Sequence, residues 1–460
     1  MAPLSNTDMR DIETLVHPYT NLAVHRRSGP IIIEKAKGIR VYDQHGKSHI
    51  EGMSGLWCAS LGFGNEEIAE TARDQISNLS YTHLFASRSH ESAIELAEKI
   101  KEMSPAPASK VFFTSSGSEA NDTQVKLLWY YNNARGKPEK KKIISRLKGY
   151  HGVTVASASL TGLPANHTDF DLPIAGIVHT DCPHYYHFSE EGESEADFSR
   201  RMAQNLEALI QEEGPETIAG FIAEPIMGAG GVILPPENYF REIKKVLDAH
   251  DILFIADEVI CGFHRTGEAF GSLTYDMEPD SISIAKAITS AYAPLGALTV
   301  NEDMYQAMLS QSEKIGTLGH GFTYSGHPLA TAIGLKTLEI YERENIPGHV
   351  RTVSAPFLER LHRLADHELI GETRGIGLIG AAEIVADKGR RQSFDPSHGI
   401  GAKAAAYCRE EGVILRPLGD SIGFCPPLII TEDEIHELFN AVERALERTK
   451  AWLKTSGIQS

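Results

Sequence analysis

Five short apolar runs, separated by stretches of helical periodicity, limit what this chain can fold into more than any other feature. They are Lys110 to Thr114 (KVFFT), Lys142 to Ser145 (KIIS), Ala219 to Ala223 (AGFIA), Ile252 to Ala256 (ILFIA) and Ser281 to Ala285 (SISIA). Each run is continuous rather than alternating, which is the pattern of a strand covered on both faces. Such strands belong to mostly parallel sheets joined by crossover helices. The expectation is an α/β fold. One crossover helix is read around Arg201 to Glu212, entered through the polar loop Ser189 to Ser194.

After Ser325 the pattern changes. A periodic helix spans Pro328 to Arg343 and stops before Pro347, and Thr431-x-x-Glu434 forms a capping box ahead of a last helix carrying Ile435, Leu438, Phe439, Val442 and Leu446. Strand-like pieces, Leu378 to Val385 and Val413 to Leu415, lie between them. The chain of 460 residues has room for about three domains at roughly 150 residues each. The patterning favours two: a large domain over 57–327 and a smaller α+β domain over 328–460, which the N-terminal segment 1–56 joins.

Lys and Arg total 44 against 62 Asp and Glu, a formal net charge of -18. That balance argues against nucleic acid and anionic membranes as partners. The five cysteines, Cys58, Cys182, Cys261, Cys408 and Cys425, are scattered and contain no C-x-x-C pair, so a zinc ribbon or disulfide framework is not expected. With no apolar signal segment and no run of about 18 apolar residues, the expected location is the reducing cytoplasm.

The chemistry sits where the strands end, because the carboxyl ends of parallel strands form the ligand crevice. Ser116, Gly117 and Ser118 follow KVFFT and open a helix, where small residues let backbone N–H groups approach a phosphate. Alone, such a stretch is an ordinary helix cap. Tyr150 and His151 (YHG) follow KIIS and offer a stacking aromatic. Glu224 ends AGFIA, and Asp257-Glu258-Val259 ends ILFIA; a buried carboxylate there needs a cation or hydrogen bonds. Lys286 emerges from SISIA, where burial favours a neutral amine able to form a Schiff base or move protons. A lysine that snorkels to the surface is the simpler alternative. A phosphate cup, a stacking ring, a buried carboxylate and a Schiff-base lysine together suit pyridoxal 5'-phosphate (PLP).

SSGSEAN, YHG, AEPI, ADEV and AKAITSAYAPLGA, followed by GFTYSGHP, resemble the signatures of class III (subgroup II) aminotransferases of PLP fold type I. The resemblance spans about Trp57 to Arg416. It implies a covalent Schiff base between PLP and Lys286, Asp257 on the ring nitrogen, and Tyr150 and Val259 on the two ring faces. His151 lies beside them, Ser116, Gly117 and Ser118 serve the phosphate, and Glu224 braces the Asp257 side of the site. Phe322 and Thr323 would come from the neighbouring subunit of a homodimer. The ω-transaminase or amine:pyruvate branch further implies a substrate pocket of Trp57, Phe85, Tyr150, Ala229 and Arg416, the arginine gripping the carboxylate of pyruvate or an amino acid. The implied reaction moves an amino group from a primary amine or ω-amino acid to a keto acid by ping-pong half-reactions. An aminomutase, racemase or decarboxylase on the same fold is the alternative. One departure is Ala287-Ile288 after the lysine, where many members have Gly-Leu.

Competing motifs are weaker. ILFIADE has the shape of a Walker B strand, but Gly46-Lys47-Ser48 lacks the upstream glycine of a P-loop. Gly375 to Gly380 (GIGLIG) fits a dinucleotide fingerprint yet runs into a strand rather than a helix. His179, Asp181, Cys182, His184 and His187 cluster as metal ligands would, although no metal is expected, and the basic run Arg135 to Lys142 reads as a solvated loop.

Overall fold

All five apolar runs become strands of one sheet in the computed structural model, which describes residues 4–458. The order across the sheet is Lys110–Thr114, Gly296–Val300, Ser281–Ile284, Leu253–Asp257, Ile218–Ala223, Lys142–Arg146 and Ile177–Thr180. Two members escape the apolar-run pattern. Ile177–Thr180 is an edge strand whose His and Thr dilute the apolar signal. Gly296–Val300 opens on a glycine and runs antiparallel to both neighbours, because it returns from the Lys286 loop without a crossover helix. The other pairs among neighbours are parallel.

Strands 218–223 and 281–284 are buried at every position, as covering on both faces requires. The crossover helix Glu195–Glu213 starts earlier than Arg201, since the Ser194 side chain accepts the Asp197 amide and fixes the first turn. Helix Gly117–Ala134 is capped the same way by Ser116, which accepts from the Glu119 amide.

A second sheet is an antiparallel set in the order Ile370–Ile376, Ile379–Ile384, Ser421–Phe424 and Arg416–Leu418. GIGLIG lies across its first hairpin, with Gly377 at φ +56° in the turn, so it cradles no dinucleotide. A third sheet joins Ile33–Lys37, Arg40–Asp43 and Ser48–Glu51 to Val413–Ile414, the last pair parallel. The two ends of the chain thus share hydrogen bonds. Gly46-Lys47-Ser48 is the hairpin turn here, and Lys47 Nζ donates to the carbonyls of Arg409 and Glu410.

Helix Pro328–Arg343 has the bounds read from its periodicity and packs against Glu66–Asn78 and Glu91–Met103. A Cβ at Gly334 would stand 2.9 Å from Leu96, so glycine sets that approach. Helix Glu432–Ser456 carries the Thr431 capping box and buries Ile435, Leu438, Phe439, Val442 and Leu446. Each such side chain contributes about 1.5–3 kcal/mol. The basic loop is not merely solvated: Arg135 and Lys137 pair with Asp251 (3.1 and 2.7 Å) and Lys142 with Glu213 (2.7 Å). All five cysteines are free thiols. Among the described residues, no helix is long and apolar enough to cross a membrane.

Candidate active site

The carboxyl ends of the strands converge on a cavity of about 360 Å³. Its wall contains Ser116, Gly117, Ser118, Tyr150, His151, Glu224, Asp257, Val259 and Lys286. In-register parallel pairing brings Asp257 and Lys286 together, because Leu253–Asp257 and Ser281–Ile284 are neighbours.

Asp257 is 4% exposed. Its Oδ2 accepts from Asn121 Nδ2 (2.8 Å) and bonds His151 Nδ1 (2.8 Å), while Oδ1 accepts the Val259 amide (3.1 Å). Its direct partners are therefore an amide, a ring and the backbone rather than a fixed cation. Asn121 is a site residue that the sequence reading passed over. It stands one turn beyond Gly117 on the same helix face, and that spacing was its signal.

Lys286 has a left-handed backbone (φ +53°) at the start of the turn Lys286–Thr289, a conformation that costs about 1–3 kcal/mol unless the surroundings hold it. Burial lowers the pKa of its ammonium, the nearby charge of Asp257 opposing. Glu224 stands on the same wall as Asp257 and holds backbone there rather than Asp257 itself. Its carboxylate accepts the amides of Tyr150 (2.9 Å) and Gly228 (3.0 Å), so it fixes the Tyr150 loop, and burial raises its pKa. Glu258 turns away from the cavity and takes the amides of Gly271 and Ser272; burial pushes it up to about 7.

Tyr150 lies on the cavity wall, and burial raises its phenol above the ordinary range, with neighbouring Tyr19 adding to the rise and the charge of Arg416 opposing it. Ser118 Oγ accepts the Val153 amide (3.2 Å). The amides of Gly117 and Ser118 make no hydrogen bond among the described residues.

Six expected residues are absent from this wall. Trp57 is buried in the core at 3% exposure, beside Cys58, whose thiol is near enough to act on Lys286. Ala229 sits in the turn after Glu224, and Arg416 opens the strand Arg416–Leu418. Phe85, 47% exposed, packs instead against the loop of Phe322 and Thr323: a Cβ at Gly321 would stand 2.7 Å from its ring. Tyr81 ties the same loop by donating to the Thr323 carbonyl (2.8 Å). Phe85, Phe322 and Thr323 thus form one surface patch apart from their own chain's cavity.

The histidine cluster also separates. His179 lies beside His167 with the two rings tilted, whereas His184 bonds Glu372 (3.0 Å) and His187 bonds Glu383. Arg374 pairs with both of these carboxylates. His184, His187 and Glu383 are close enough to ligate an ion, but the guanidinium already supplies the positive charge.

Residues 22–446 match the family described as Aminotransferase class-III. The chain belongs to the class III aminotransferases. Gamma aminobutyrate transaminase 3, chloroplastic, of Solanum lycopersicum is 48% identical over 450 residues, covering 97% of this chain and 86% of that protein. Vanillin aminotransferase of Capsicum frutescens is 48% identical over 422 residues, 92% of each. Among solved structures, the omega transaminase from Pseudomonas jessenii in complex with PMP is 50% identical with a TM-score of 0.96, covering 98% of this chain and 99% of that one. The fold is accordingly that of the PLP fold type I transaminases, and the enzyme is a PLP-dependent aminotransferase.

The residues present fit that cofactor. Two unpartnered amides at a helix start suit its phosphate, and an acid with both oxygens already oriented suits its ring nitrogen. Space for the ring depends on Gly117, where a Cβ would come within 2.9 Å of Val259.

Proposed function

We propose that this aminotransferase is an ω-transaminase that takes the amino group of a primary amine or ω-amino acid and passes it to pyruvate. The observation that carries the reading is Arg416. Its guanidinium makes no hydrogen bond or ion pair among the described residues, yet its charge reaches the Tyr150 phenol. A free guanidinium at that position grips a carboxylate bidentately and has no partner to lose when an apolar amine takes its place. A thermostable omega transaminase variant substituted at a tryptophan, a phenylalanine and an arginine is described as engineered for asymmetric synthesis of enantiopure bulky amines. Trp57, Phe85 and Arg416 have the same residue types, order and spacing.

PLP, when bound, supplies a carbonyl for the amine and a ring that stores the electron pair of the deprotonated substrate carbon. Lys286 Nζ, its pKa lowered by burial, would take and return that proton. Asn121 and His151 orient Asp257 so that its carboxylate keeps the ring nitrogen protonated. Tyr150 would cover one face of the ring, and Val259 with Gly117 would limit the other. The patch of Phe85, Phe322 and Thr323 supports a homodimer in which each chain completes its partner's site. The free cysteines support a reducing compartment, of which the cytoplasm is one.

The test is a panel of amines, gamma-aminobutyrate included, offered with pyruvate to the purified holoenzyme. One alanine per pyruvate consumed is expected. Product that retains its amino group while pyruvate is untouched would overturn the reading in favour of an aminomutase, racemase or decarboxylase.

A further inference from the structure

Outside the cavity, one group of donors has no catalytic place and no Lys or Arg counter-ion among the described residues. Asp11 lies on helix Asn6–Thr14, His17 follows its end, and His25 lies on helix Leu22–Ser28. Each offers one ligand atom, and these atoms stand within 4.8 Å of one another. His17 Nε2 is 2.9 Å from Asp11 Oδ1, and His25 Nε2 is 3.2 Å from the same oxygen. The two rings lie 4.2 Å apart.

His25 is the telling member. Its side chain is 9% exposed, and its Nε2 makes no hydrogen bond although a carboxylate oxygen is 3.2 Å away. The approach has the distance of a hydrogen bond but not the angle. Leaving such an atom unpaired costs about 1–3 kcal/mol. Ligands of a tetrahedral ion with bonds of about 2.0–2.1 Å stand roughly 3.3 Å apart, so these separations suit a shared ion after small outward shifts. Two imidazoles and a carboxylate are a common zinc donor set, and the half-buried His17 leaves a path for the ion and a water as fourth ligand. Arg374 fills this role at the His184 cluster; nothing fills it here.

We propose that Asp11, His17 and His25 bind one divalent transition-metal ion of the Zn²⁺ class, which clamps the N-terminal arm. The arm carries Tyr19 between the two histidines. Tyr19 accepts a hydrogen bond from Asn166 Nδ2 (2.6 Å) and lies near enough to the Tyr150 phenol to raise its pKa. The ion therefore holds the arm that carries Tyr19 beside Tyr150.

Holoenzyme freed of metal by a chelator is titrated with Co²⁺ and then with Zn²⁺. One Co²⁺ per chain is expected, with the visible ligand-field bands of a four-coordinate site, displaced by Zn²⁺. At about 100 times Kd, Zn²⁺ should raise the midpoint of unfolding by about 3 °C for a chain of this length. Asp11→Asn and His25→Ala should each weaken uptake roughly tenfold or more. No saturable uptake by the wild type would overturn the proposal, as would unchanged uptake in Asp11→Asn, which would place the ion elsewhere. Should His25→Ala fail to fold, the wild-type cobalt spectrum and Asp11→Asn still decide.

Discussion

Glu51 ends the strand Ser48–Glu51 just before the loop of Trp57 and Cys58, and only 7% of it is exposed. Burial pushes its carboxyl from 4.5 up to about 7, against the amides of Met53 and Gly55, which favour the charged form. Between those two values the folded chain keeps a proton that the unfolded chain has released. Stability therefore falls as pH rises through this window, and the loss is complete above about 7. At about 1.4 kcal/mol per unit the loss is about 3 kcal/mol. Glu51→Gln keeps the shape and removes the ionisation, so its stability relative to wild type should improve by that amount between pH 4 and pH 8. With an unfolding entropy of roughly 2 cal/mol/K per residue, the difference in midpoint temperature should move by about 3 °C. Scanning calorimetry of both holoenzymes across this range reads it directly. A difference that stays constant with pH would refute the reasoning and mean that Glu51 is ionised in the fold.

Lys286→Ala should still bind PLP without covalent attachment, while amine transfer falls by roughly 10²-fold or more, measured by alanine formation. Gly117→Ala forces Val259 aside at an overpacking cost of about 1–3 kcal/mol, so PLP should bind about 5- to 150-fold more weakly in a fluorescence titration of the apoenzyme. Arg416→Leu should lower kcat/KM for pyruvate roughly 10- to 100-fold through the lost charged hydrogen bonds. Uncharged amines should lose much less in steady-state assays of the other half-reaction.

Lys286, Asp257, Tyr150 and the Ser116–Ser118 turn were legible in the sequence because each lies just beyond or in the loop after an apolar run, and parallel pairing brings such ends together. Asn121 was legible in principle through its helical spacing from Gly117. The hydrogen bond from Glu224 to the Tyr150 amide was not, since it depends on how two loops fold back across the sheet. Trp57, Phe85 and Arg416 lie on segments whose approach to the cavity is set by tertiary packing and, for Phe85, by a surface patch away from it. Gly296–Val300 was hidden for a local reason: a strand that begins on glycine after a proline has the composition of a turn.

The pairing of Ser48–Glu51 with Val413–Ile414 gives the protein an order of assembly. Until Val413 and Ile414 have been synthesised, one edge of Ser48–Glu51 is unpaired and open to wrong partners. Arg416 follows this late strand by two residues. The group proposed to choose the substrate thus takes its place only when the first and last parts of the chain have met, and a nascent or C-terminally truncated enzyme would have a cofactor cavity before it had a way to select what enters.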